Sequence, residues 1–255
     1  MQYRDRRSTV RRVISGLIVA ALVTIGCLYY FHVTNNGEQE SIDVTKNFSA
    51  DEITEIQIKS KLSQVNVVAG NGDDIMVYWS DTDRRTTTAT QDGEVLKVED
   101  KGEIGFYDVL GFIQLKEDKE LTLEIPVSFT GSLEIESRDE FVRVFGVEGL
   151  ESLSVETTIG AIEITTVEAL DYQLSSKGGN ISLHGVSCGS GISANTHNGY
   201  IDCLFVGDET QYLLDCHTDR GTLDIPRTTY NGEIPIRLRT VSGEISVQFT
   251  NRVGE

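Results

Sequence analysis

Basic residues are scarce in this chain. The 255 residues hold 22 Lys and Arg against 40 Asp and Glu, a formal charge of -18. Five of the basic residues (Arg4, Arg6, Arg7, Arg11, Arg12) precede Val33, where the only acid is Asp5. Everything after Val33 therefore carries 17 basic and 39 acidic residues. So negative a surface repels phosphate backbones, which excludes nucleic acid as a partner. Cysteine is sparse at four residues, and no C-x-x-C or paired-His spacing occurs, so zinc ligation has no framework. Proline is rarer still, three residues against 24 glycines, and little interrupts an extended chain.

Long apolar runs are absent but for one. Val13 to Val33 reads VISGLIVAALVTIGCLYYFHV, 21 residues without an acid, Lys or Arg. At about 1.5 Å rise per residue such a helix spans roughly 30 Å, a bilayer core. The Arg-rich residues 1–12 place the N-terminus in the cytoplasm, and Tyr29, Tyr30 and Phe31 suit the opposite headgroup level. The expectation is a membrane partner contacted through residues 13–33 of a single-pass protein, with the C-terminal domain extracytoplasmic. A lipid anchor at Cys27 and a cleaved signal are the rival readings. Neither a small-x-small cleavage site nor a Leu at the third position before Cys27 supports them. Residues 34–50, mostly polar, read as a linker, 51–250 as one domain and 251–255 as a tail.

Within that domain apolar and polar residues alternate with period two, the strand signal. An internal repeat organises the alternation. Taking Glu140, Gly160, Gly179, Gly199, Gly221 and Gly243 as markers gives spacings of 20, 19, 20, 22 and 22 residues. Two after each marker stand Val142, Ile162, Ile181, Ile201, Leu223 and Ile245. Four after it stand Val144, Ile164, Leu183, Cys203, Ile225 and Val247. Five before it come Ile135, Val155, Leu174, Ala194, Cys216 and Leu238; seven before it, Leu133, Leu153, Tyr172, Ile192, Leu214 and Ile236. All twenty-four are apolar. A third column, three before each marker, is hydroxylic: Ser137, Thr157, Ser176, Thr196, Thr218 and Thr240.

Each unit is thus two short strands about a turn, and neither strand can bury its apolar side alone. Stacking units about 4.8 Å apart joins those sides into continuous columns. The expected fold is all-β: a single-domain β-solenoid, parallel-β-helix-like, with rungs of about twenty residues. A β-sandwich is the competing arrangement, since regularly spaced short strands also suit it. The hydroxyl column is placed to bond turn backbone. Ile56, Ile58, Ser60, Val65 and Val67 fit the same template, so the stack begins near Ile53. Between Gly70 and Phe129 the register is poor, although Ile75-Val77-Trp79, Val95–Val98 and Leu121-Leu123-Ile125 read as strands.

The recurring T-x-x-G-x-I-x-I pattern (Thr157 to Ile164, Thr196 to Cys203, Thr240 to Val247), with Leu123-Glu124-Ile125-Pro126 ahead of the regular units, resembles the bacterial β-strand-repeat family labelled putative adhesin, of unknown function. The resemblance covers roughly residues 53–250. It implies a membrane-anchored envelope protein, with some members encoded near envelope-stress systems. It supplies no catalytic residues.

Candidate sites are few. Gly185-Val186-Ser187-Cys188-Gly189 satisfies G-x-S-x-G, but that motif needs a strand, an elbow and a helix, and another strand follows here. Cys203 and Cys216 fall on inward columns and read as core thiols, with Cys188 in the turn after a strand; a disulfide among the three is left open. His184, His197 and His217 scatter over turns and strand ends. In sequence order Asp202 and Asp224 are stacked neighbours on the outward column, with Asp219 in reach, which makes a weak cation site the metal candidate beside the plainer reading of a hydrated surface. The aromatic stretch 104–113 is either a solenoid cap or a docking patch, with Phe106, Tyr107, Leu110 and Phe112 the partner-binding candidates.

No catalytic constellation or cofactor motif emerges. The reading is a non-enzymatic envelope scaffold or binding module, adhesin-like, whose repetitive surface meets another envelope protein or cell-wall glycan. An accessory role in envelope-stress sensing is the alternative. A glycan-active β-helix enzyme comes third, for want of clustered carboxylates.

Overall fold

The computed structural model describes residues 42–81, 85–102, 120–226 and 232–250. The expected anchor 13–33, Cys27 and the stretch holding Phe106, Tyr107, Leu110 and Phe112 lie outside the described residues. Among the described residues, no helix is long and apolar enough to cross a membrane.

The described residues form eighteen strands and two short 3-10 turns, Ala50–Glu52 and Glu209–Gln211, within one compact unit. In chain order the strands are β1 Ile42–Ser49, β2 Glu55–Ser60, β3 Gln64–Gly70, β4 Asp74–Asp81, β5 Arg85–Asp92, β6 Val95–Gly102, β7 Glu120–Pro126, β8 Ser132–Ser137 and β9 Val142–Phe145. Then come β10 Leu150–Thr157, β11 Ile162–Thr165, β12 Glu168–Ser176, β13 Ile181–Asn198, β14 Ile201–Val206, β15 Tyr212–Arg220, β16 Leu223–Asp224, β17 Ile234–Ser242 and β18 Ile245–Thr250.

They build two sheets joined by the marker turns, with the core between them. The first sheet runs β5-β6-β2-β8-β10-β12-β13-β17-β15. The second runs β1-β4-β7-β3-β9-β11-β13-β14-β18-β16. The long strand β13 serves both, its early residues pairing with β11 and β14 and its later ones with β12 and β17. All pairings are parallel except β1–β4, β4–β7 and β5–β6. A parallel ladder with a short turn between sheets in every rung is solenoid-like, and it displaces the sandwich alternative.

The apolar columns are real. Val142, Ile162, Ile181 and Ile201 are direct register partners, and the column continues to Ile245 and Leu223. Twenty of the twenty-four repeat positions are buried, and the four that are not (Leu214, Cys216, Leu223, Ile225) all belong to one rung, β15–β16.

Glycine at the markers has a steric cause. A Cβ on Gly160 would stand 2.0 Å from the carbonyl oxygen of Glu140, and one on Gly179 2.1 Å from that of Gly160. The same approach links Gly199 to Gly179, Gly243 to Gly199, and Gly221 to Gly243. Turns therefore stack carbonyl onto Cα, and only glycine leaves room. The hydroxyl column stitches the same turns. Thr157 Oγ1 donates to Gly160 O at 2.6 Å, Thr196 to Gly179 O at 2.8 Å, Thr240 to Gly199 O and Thr218 to Gly243 O, both at 2.9 Å.

The order of rungs departs from the expectation. β17–β18, last in the chain, is inserted between β13–β14 and β15–β16. The first rung, β2–β3, is likewise second in space, with β6–β7 outside it. Every rung presents the same column chemistry, so a permutation of neighbours still stacks apolar side chains on apolar ones. Part of the stretch expected as a linker, 34–50, is a strand. From Ile42 the chain is β1, which pairs antiparallel with β4 and packs Val44 and Phe48 partly against the core.

Candidate functional site

The inserted rung dismantles the proposed cation site. Asp202 and Asp224 each pair with Ser246, which lies between them, so the two carboxylates are not neighbours. Asp202 Oδ2 instead sits 2.9 Å from His184 Nε2, and Asp219 Oδ1 2.9 Å from His217 Nε2. Among the described residues no group of three or more His, Cys, Asp and Glu is placed to hold a metal ion. His184 and His217 lie within strands β13 and β15 rather than at strand ends or turns, with side chains half or more exposed.

Ser187 of the G-x-S-x-G match lies inside β13. Its carbonyl accepts from the Tyr172 hydroxyl at 3.0 Å, and its amide donates to Val167 O. With neither elbow nor helix, it is a ladder residue. Cys188 follows it in the strand and is buried, not in a turn. Cys188, Cys203 and Cys216 are free thiols. The inserted β17–β18 rung separates Cys203, whose register partner is Val247, from Cys216, beside Leu238. Burial pushes the Cys188 thiol up to about 12, with Asp171 adding to it. Burial, aided by Asp215 and opposed by Arg239, lifts Cys216 to about 11. The fully enclosed Cys203 is raised as well, by burial first. Cys188 and Cys203 are core thiols held neutral rather than nucleophiles, and Cys216 is only half-buried, not the core thiol expected of it.

What the structure does assemble is the outer face of the first sheet. Polar side chains stand one per rung in two rows. One row runs Lys97, Gln57, Glu134, Ser154, Gln173, Ser193, Arg237 and Asp215. Beside it run Glu99, Lys59, Glu136, Glu156, Ser175, Asn195, Arg239 and His217. The middle of the face, Ser154, Gln173, Ser193, Ser175 and Asn195, is uncharged and rich in hydroxyl and amide groups. Toward β8 and β10 it is flanked by Glu134, Glu136 and Glu156, and at β17 by Arg237 and Arg239.

Two shallow depressions open on the same face. One, of about 390 Å³, has Lys59, Lys61, Glu136, Arg138, Glu156 and Thr158 on its walls. The other, of about 440 Å³, lies among Thr54, Glu55, Ser132, Glu134, Glu151 and Ser154. Lys59 Nζ bonds Glu136 Oε1 at 3.0 Å, and that carboxylate raises the lysine above its usual value by hydrogen bond and charge. Arg239 grips the Asp215 carboxylate and also donates to its backbone oxygen at 2.9 Å; the guanidinium holds Asp215 below the usual carboxylate range. The alternation that predicts the strands also predicts these rows. The depressions depend on β2 lying beside β8, which no local pattern announces.

No curated protein matches the chain. Among solved structures, a putative cell adhesion protein from Clostridium sporogenes aligns over 83% of this chain and 100% of its own, at 9% identity and a TM-score of 0.46. A putative adhesin from Bacteroides fragilis aligns over 83% and 99%, at 11% identity and a TM-score of 0.43. A putative adhesin from Parabacteroides distasonis aligns over 83% and 98%, at 12% and 0.34. The sequence profile of one family, Toastrack DUF4097, matches residues 53–251, nearly the whole two-sheet stack. The chain therefore belongs to the Toastrack DUF4097 family.

Proposed function

We propose that this protein is a non-enzymatic, membrane-anchored module of the cell envelope that binds a polar partner across the outer face of its first sheet. The carrying observation is the two rows of outward polar side chains meeting two depressions on one surface. Rungs about 4.8 Å apart present donors and acceptors at fixed intervals without an entropic cost of ordering a loop. Such a face suits a glycan strand or an extended polypeptide. The apolar run 13–33, with its Arg-rich flank, supports an anchor that holds this face outside the cytoplasm.

The full chain, in detergent, is tested by cosedimentation with purified cell-wall sacculi and, in its own cell, by crosslinking to surface proteins. S154R/Q173R obstructs the face, and T165R/S182R places the same bulk and charge on the opposite sheet. Loss of binding in the first and retention in the second is the expected result. Equal binding by both variants, or no binding by the parent in either assay, overturns the proposal.

A further inference from the structure

We infer that the β15–β16 end of the stack is an interface with a second copy of this chain, formed by antiparallel pairing of β15 with β15 of the other copy. This is a different surface from the face proposed above and does not depend on it. Among the described residues β15 pairs on one side only, with β17, and β16 only with β18. The opposite end of the stack is closed by antiparallel β1, β4 and β5, whereas at this one no described residue covers the rung.

The four repeat positions that escape burial are all here, and Leu223 is 44% exposed while its register partner Ile245 is fully buried. Leu213, on the outward side, is 43% exposed. Natural edge strands are usually blunted by Lys, Pro, bulges or short length. β15 is nine residues, YLLDCHTDR, with no Lys or Pro, and its register to β17 shows no bulge.

The charges on β15 select the occupant. In an antiparallel pair, directly opposite residues share a face, so a two-fold axis must pass through a residue position. Centring on Asp215 opposes that carboxylate to its own copy, and centring on His217 sets Asp215 against Asp219. Centring on Cys216, the middle residue of the strand, gives full overlap and places Asp215 opposite His217 twice. Tyr212 then faces Arg220, and Leu213 faces Asp219. Since Arg239 already holds Asp215 and His217 already contacts Asp219, the outer row becomes an alternating series Arg239, Asp215, His217, Asp219 across the junction. On the inner face Cys216 meets Cys216 and Leu214 meets Thr218, extending the half-covered columns into the other copy.

The test is sedimentation velocity of the full chain in detergent over a range of concentrations. H217D puts like charges opposite each other at two places and is expected to weaken the dimer about tenfold. D215H/H217D exchanges the pair, keeps an acid beside Arg239, and is expected to restore the dimer to within about threefold of the parent. Independently, mild oxidation with diamide is expected to give a covalent dimer that C216S abolishes. A parent that stays monomeric at every concentration, or a dimer indifferent to H217D with no Cys216 crosslink, overturns the inference.

Discussion

The two ends of the stack carry the same columns but finish them differently. At one end Leu121 occupies the column that ends with Leu223 at the other, and Leu121 is fully buried while Leu223 is 44% exposed. The hydroxyl column reaches Asp100 at the first end and Thr218 at the second. Asp100 is 1% exposed, and its Oδ2 accepts from Ser63 Oγ at 2.8 Å, Leu62 N at 3.1 Å and Ser60 Oγ at 3.2 Å. A solenoid rung is stabilised by neighbours on both sides, so a terminal rung needs a substitute for the missing one. Antiparallel strands supply it at the β1–β5 end. At the β15–β16 end nothing among the described residues does.

The largest expected difference comes from truncating the same residue type in the same column. Leu121→Ala should cost about 2–5 kcal/mol, as for a buried leucine, and Leu223→Ala about 1 kcal/mol or less. Urea unfolding monitored by circular dichroism measures both; equal losses would mean that both ends are covered alike. The next effect is polar. Asp100→Ala removes the carboxylate that Leu62 N and Ser63 Oγ donate to, while Ser60 Oγ keeps Ser63 O at 2.7 Å, and should cost about 2 kcal/mol, with faster hydrogen exchange at Leu62. Thr218→Ala removes one hydrogen bond at the open end and should cost about 1 kcal/mol or less.

The smallest effect is kinetic. In protein diluted until it is monomeric, Cys216 should be alkylated by iodoacetamide before Cys188 and Cys203, at a rate that climbs toward pH 11, because only a thiolate reacts. The folded thiols hold their protons above the ordinary thiol value of 9. Their contribution to stability is therefore full below pH 9 and is lost as pH rises toward about 12, where Cys188 ionises. A uniform alkylation rate across the three would remove the contrast between the ends.

Much of this is legible in the sequence. Period-two alternation marked Ile162, Ile164, Leu153 and Val155 as inward, and the twenty-residue repeat marked which rungs share a column. The glycine and hydroxyl positions were equally readable, since stacked turns need a missing Cβ at Gly179 and a donor at Thr196. The cation site failed for a specific reason. Its geometry assumed that Asp202 and Asp224 follow one another in space, and Ser246 of a later rung lies between them. β1 escaped notice because an edge strand covered on one face shows little burial: only Val44 and Phe48 turn partly inward. The polar face of the first sheet was visible as residue types. Its depressions were not, because they require β2 to lie beside β8, 77 residues on by their register partners Ser60 and Ser137 rather than 20.

By itself the sequence determined what one rung is: which side chains point inward, where the chain turns, and why glycine and threonine mark each turn. Those are local consequences of period and sterics. Only the tertiary structure decided the order in which rungs neighbour one another and how each end is finished. Interchangeable rungs offer nearly identical apolar contacts in any order, so the choice falls to particular turn contacts, such as Gly243 on Gly199 and Gly221 on Gly243, and to the connections between them.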